Sequence, residues 1–228
     1  MGEKKKKEAS TKLWKKILIV GACILFAVLM VLSGMGTGWL GMFTTVKPGD
    51  SVVIDYTLFD AGGKPIVTSE KTTYDLVVAQ NRQIFGSGRL TIISNQTIEK
   101  PIFSVPVYPS TGTGVQQLGI FSTEYTSISS GVIGMKVNEQ KKIPLYSSIP
   151  MKQEWSAEQL ALSKINLSDI SPGDNFFLGI SDNPDDVNVT SANTYLRIGE
   201  VTSKSSEGVI VDFSFPAIDV RVVSINNR

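Results

Sequence analysis

The sequence predicts a mainly β (α+β) protein preceded by one transmembrane helix. Three observations predict it: an uncharged run of twenty residues from Ile17 to Gly36, short alternating apolar segments after it, and few stretches with helical periodicity. At 228 residues the chain is long enough to bury a sizeable core in one large domain or two small ones.

The apolar run ILIVGACILFAVLMVLSGMG comes first, and at 1.5 Å per residue it covers about 30 Å of hydrocarbon. Lys12, Lys15 and Lys16 precede it directly and the next basic residue is Lys47, so the positive-inside rule puts the N-terminus in the cytoplasm. Trp14 and Trp39 fall where interfacial anchors stand. The run exceeds the apolar core of a secretory signal, and Ser33 to Gly38 is a poor cleavage site, so the expectation is an uncleaved anchor in the cell membrane. Residues 1–16 form a basic tail, 37–45 a Gly-rich linker, and the remainder an extracytoplasmic domain. Asn95, Asn166 and Asn188 each open an Asn-X-Ser/Thr sequon there.

Ser51 to Leu58 alternates as a strand, and Asp60-Ala61-Gly62-Gly63-Lys64 carries the turn chemistry for a hairpin into Pro65 to Val67. Further strands are expected at 74–79, 90–94, 101–107, 138–145, 175–180, 193–202, 208–213 and 217–225. Helices are expected at 127–135 and 156–162, the second opened by a capping box of Ser156 and Gln159. Lys47-Pro48-Gly49-Asp50 and Ser171-Pro172-Gly173-Asp174 are two copies of one turn signal, a coincidence of strand-leading chemistry rather than a repeat.

Composition excludes more than it assigns. The tail holds seven Lys and two acids, leaving 15 basic against 19 acidic residues elsewhere, so no basic stripe for nucleic acid exists. Cys23 is the one cysteine and histidine is absent, which removes disulfides, the commonest metal ligands and every His-activated nucleophile. No metal or cofactor is expected.

Three separated segments, in order, resemble the FKBP-type peptidyl-prolyl isomerases: VKPGDSVVIDYTLFDAGGKPIVTS (46–69), ISSGVIGMKVNEQKKIPL (128–145) and EGVIVDFSFPAIDVRVVSI (207–225). Gly134-Met135-Lys136-Val137 is the most specific piece. The last segment is similar to the end of the long archaeal and bacterial branch, which carries an inserted flap that binds unfolded chains. The resemblance implies an FKBP-like antiparallel half-barrel with a short helix over 46–146 and 207–228, an insertion at about 80–124, and a β-rich flap over 147–206.

The resemblance also implies an apolar pocket for an X-Pro segment, where a barrier of about 18–20 kcal/mol is lowered by twisting the amide, without a nucleophile. Carried over position by position, Tyr56 matches the pocket tyrosine and Val67-Thr68 stands where the family has Phe-Asp. Tyr125 holds the backbone-donor position, Ile128 replaces a floor aromatic, and Ile218 stands where the last strand carries Phe. The expected function is therefore a membrane-anchored isomerase or folding helper for proline-containing or unfolded polypeptides, with Tyr56, Val67, Tyr125, Ile128 and Ile218 as its catalytic pocket, poor in rings and lacking its acid. Two readings stay open beside it: a degenerate FKBP-like domain that only binds or chaperones, through apolar flap residues such as Trp155, Phe176 and Phe177, and an unrelated exported β-sandwich.

Overall fold

The computed structural model describes residues 16, 18–31, 44–112, 114–147, 149–182 and 193–226. They divide into two units, Met1–Thr44 and Thr45–Arg228, described separately. The rest of the basic tail, the Gly-rich joint, Trp14, Trp39 and the Asn188 sequon lie outside the described residues.

In the first unit α1 runs over residues 18–31. This length covers about 21 Å, against the roughly 30 Å that a bilayer core requires. Among the described residues no helix is long and apolar enough to cross a membrane. The transmembrane helix expected over 17–36 is thus corrected. Hydropathy marks an apolar run, whereas the helical residues described within it number fewer than a span needs, and residues 17 and 32–36 lie outside the described residues. The extracytoplasmic placement loses the support it drew from that span.

The second unit is mainly β. Along the chain lie β1 (Ser51–Phe59), β2 (Pro65–Thr68), α2 (Lys71–Ala79), β3 (Phe85–Ser87), β4 (Leu90–Ile93), β5 (Ile102–Pro109), β6 (Gln116–Phe121) and α3 (Ser122–Gly131). They are followed by β7 (Gln140–Pro144), β8 (Lys152–Ser156), α4 (Ala157–Leu162), β9 (Asn175–Ser181), β10 (Thr194–Lys204), β11 (Gly208–Asp212) and β12 (Ala217–Asn226). A curled half-barrel sheet has the order β7-β12-β1-β2-β3-β5-β6-β10-β11-β8, with β4 also on β1 and β9 also on β10.

β1 is the spine because its even positions, Val52, Ile54, Tyr56 and Leu58, all face the interior and are buried. The turn after it closes as its residues require: Lys64 N–H donates to Asp60 Oδ1 (2.7 Å), Asp60 N–H to Lys64 O (2.9 Å), and Gly63 takes φ +77°. The three resembling segments meet in this half. β1, β7 and β12 are neighbours, and Val46 is bonded through both its N–H and C=O to the Gly134-Met135 turn.

Two elements differ from expectation. Residues 74–79, read as a strand from Tyr74, Val77 and Val78, belong to α2, where Lys71 pairs with Asp75 one turn on (2.6 Å) and Val77 alone is buried. The helix expected at 127–135 begins at Ser122, because Glu124 reaches back to accept the Phe121 N–H (2.9 Å) and satisfies a donor at the helix start. The Ser156–Gln159 capping box forms with both its bonds. The two Pro-Gly-Asp segments fold alike, each Asp side chain accepting the N–H three residues back, with Gly49 at φ +90° and Gly173 at +91°.

A second, smaller core gathers Leu160, Ile170, Phe176, Val209, Val211 and Phe213 in the inserted region, whose sheet extends through β11 to Asp212. The β5–β6 hairpin, within the expected insertion at 80–124, ties the two parts together by pairing with β3 and, through Leu118 and Leu196, with β10.

Candidate functional site: a cleft beside a sealed pocket

The five residues carried over from the resemblance do come together. Tyr56, Val67, Tyr125, Ile128 and Ile218 lie in one core cluster, each at 4 % exposure or less. Leu58 stands in register between Val67 on β2 and Ile218 on β12 and is itself fully buried. Tyr125 stacks on Phe103 (4.7 Å between centroids). The Tyr56 hydroxyl donates to Ser87 Oγ (2.7 Å), and burial pushes the phenol up to about 12, against the opposing Ser87 bond. Burial pushes the Tyr125 phenol up as well. None of the hollows described below is lined by any of the five.

The open space lies one strand away. Phe85 on β3 is in register with Val67, and just before it Gln83 lines three adjoining hollows of about 240, 290 and 470 Å³. One wall is the half-barrel edge, including Lys64, Ile66 and Phe85. The opposite wall belongs to the insert, from Ile165 to Phe177, and the β5–β6 hairpin closes one end with Pro109 and Gln116. Phe177 meets Phe85 edge-on (5.9 Å) yet keeps 44 % of its surface in water.

Backbone groups line this cleft too. Among the described strands β9 pairs only with β10. Val201 N–H donates to Asp174 O (2.9 Å) and Gly173 N–H to Val201 O (2.7 Å). Continuing that ladder's alternation leaves the N–H and C=O of Asn175, Phe177 and Gly179 turned away from β10. Asn175 and Phe177 line the 470 Å³ hollow.

Charged groups fasten the walls. At the mouth, Lys64 Nζ donates to Glu200 Oε1 (2.9 Å) and Gly173 O (3.2 Å), bolting the β1–β2 hairpin to the insert. A Cβ on Gly62 would collide with the Glu200 carboxylate, so glycine there lets the bolt close. Burial, reinforced by Glu200, holds the Asp60 carboxyl above its ordinary value, with the Lys64 backbone bond opposing, and Asp60 Oδ2 is buried without a partner.

Behind the cleft, Arg197 of β10 is fully buried and forks onto Glu124 (2.6 and 2.9 Å), while donating to Gly119 O (3.0 Å) and Phe213 O (2.9 Å). Its guanidinium is sandwiched between Phe215 (3.5 Å) and Phe121 (4.8 Å).

Sequence reasoning missed Arg82, Gln83 and the Arg197–Glu124 pair, since no motif marks them. One signal was available: in a strand, Phe176 and Phe177 point to opposite faces, so both cannot enter one core. Phe176 fills the insert's core and Phe177 opens onto the cleft. Of the other apolar insert residues, Leu160 is buried while Ile149 and Leu162 are exposed.

Among the described residues no cluster of three or more Asp, Glu or Cys side chains could hold a metal ion. Compared with known proteins, the chain matches no family model and no curated protein. The FKBP likeness therefore rests on the three sequence segments themselves.

Proposed function

We propose that residues 45–228 form an FKBP-like folding helper that binds unfolded or proline-containing polypeptide, and that binding in the Gln83 cleft is its principal act. The observation that carries this reading is the contrast between the two places. The five residues that the resemblance points to are buried in the core beside Leu58, whereas the neighbouring cleft is open and offers an exposed Phe177 beside a strand edge that no described strand pairs. Main-chain groups on a sheet edge hold any extended segment regardless of sequence, and an apolar side chain beside them adds affinity. That combination suits a binder of many chains.

Fluorescence anisotropy with labelled, proline-containing unfolded peptides tests the reading. Covering the exposed part of Phe177 is worth about 2 kcal/mol at 25 cal/mol per Å², so Phe177→Ser weakens binding on the order of 30-fold. Tyr56→Phe leaves it unchanged. The opposite pattern, or no binding at all, overturns the proposal.

Isomerase activity is the second reading, favoured by the convergence of the three resembling segments around Tyr56. A proline-limited refolding assay decides between them. Acceleration abolished by Tyr56→Phe but not by Phe177→Ser would establish catalysis at the buried pocket.

A further inference from the structure

One end of the cleft is chemically unlike the rest. The 240 Å³ hollow is lined by Lys64, Arg82, Gln83, Asp174 and Asn175 together with Pro65, Ile66 and Gly173. Lys64 is already spent on Glu200 and Gly173 O, and Asp174 Oδ2 on the Ser171 N–H (2.7 Å). Three side chains have no such engagement. The half-buried Arg82 guanidinium and the half-buried Gln83 and Asn175 amides have no hydrogen bond or ion pair from their side chains among the described residues. An arginine side chain offers a planar fork of donors matched to two oxygens. Two free amides beside it supply further donors.

We propose that this hollow is a carboxylate-binding subsite that anchors one end of the polypeptide held in the cleft, seating either an acidic side chain or the C-terminal carboxylate on Arg82 with Gln83 and Asn175 alongside. The inference rests on the peptide-binding reading and deepens it. Where Phe177 and the β9 edge accept any extended chain, Arg82 selects segments by charge and sets their direction along the groove.

The alternative tenants fit less well. A phosphate would bring a second negative charge against the Asp174 carboxylate in the same hollow and the Glu200 carboxylate on the Lys64 bolt. A cation would meet Arg82 and Lys64.

The test uses the full-length chain and three fluorescein-labelled peptides of one apolar, proline-containing sequence. The first ends in a neutral amide, the second in a free carboxylate, and the third carries one internal Glu with an amidated end. A charge-assisted fork of this kind is worth about tenfold in affinity. The second or third peptide should therefore bind about tenfold tighter than the first, and which of them does so identifies the source of the carboxylate. Arg82→Gln should erase that advantage, bringing the carboxylate-bearing peptides to the affinity of the first, and Arg82→Glu should invert it. An unaltered thermal transition for both variants confirms folding. Equal binding of all three peptides overturns the carboxylate subsite and leaves the folding-helper reading standing. Failure of every peptide to bind overturns both.

Discussion

Replacing Arg197 by Met tests whether the insert is held by a buried charge pair. The change keeps an unbranched apolar stem but removes the guanidinium and its four donated bonds, two to Glu124 and one each to Gly119 O and Phe213 O. Glu124 would be left without its counter-charge at 1 % side-chain exposure, with the Phe121 N–H its one described partner. Breaking a buried pair from one side costs about 3–5 kcal/mol, because the surviving charge has neither water nor counter-charge. Against a typical domain stability of about 5–15 kcal/mol, that removes roughly a fifth or more of the total. Glu124→Gln retains the bond to Phe121 but strands the guanidinium, so it should cost a similar amount. The double variant leaves neither charge, and should recover about 2 kcal/mol relative to the sum of the singles. Urea denaturation of the four proteins, followed by tryptophan fluorescence, closes the cycle. If Arg197→Met lies within about 1 kcal/mol of the parent, or the two singles simply add, the pair is not what fastens β10 to α3.

Other outcomes follow from the same geometry. Asp60→Asn should stabilise the protein at neutral pH. The folded carboxyl sits above its ordinary value, so the folded state holds more protons than the unfolded one over that interval and stability falls as pH rises through it; urea midpoints of parent and variant should converge in acid. Tyr56→Phe should cost about 1 kcal/mol for its lost bond to Ser87. In the parent, an ultraviolet titration should show a tyrosine ionising late, near 12, with stability declining between about pH 10 and that value. Gly199→Ala places a Cβ 2.5 Å from the Phe213 ring and 2.7 Å from Val211, so calorimetry should register a loss of about 1–3 kcal/mol from overpacking.

Local chemistry was the most legible part of the sequence. Alternation marked β1, Asp-Ala-Gly-Gly-Lys marked its hairpin, and Ser156 with Gln159 marked the start of α4, because each signal is complete within a few residues. At 74–79 the β-forming residues Tyr74, Val77 and Val78 misled, since their preference is weaker than the helical bonding of α2. The candidate pocket was half legible. The resemblance named residues that do share one core with Tyr56, but not that all of them would be buried there beside Leu58. The cleft was invisible because its walls are separated by some ninety residues, Gln83 on one side and Asn175 on the other. Likewise Arg197 and Glu124 carry no local sign of their burial. The apolar run at the N-terminus was plain to read, but among the described residues no helix is long and apolar enough to cross a membrane.

The strands at the ends of the sheet bear on self-association. β7 presents Lys141, Lys142 and Pro144, and β8 presents Lys152 and Glu154, so neither end invites a neighbouring copy to extend the ladder. β9, by contrast, has no charged residue from Asn175 to Ser181, and it lies recessed between the hairpin and the half-barrel. The recess suits a lone extended strand better than a second folded molecule presenting β7 or β8, whose lysines oppose pairing. On the proposed reading, a bound chain would be held singly in this recess and would not bring a second copy of the molecule with it.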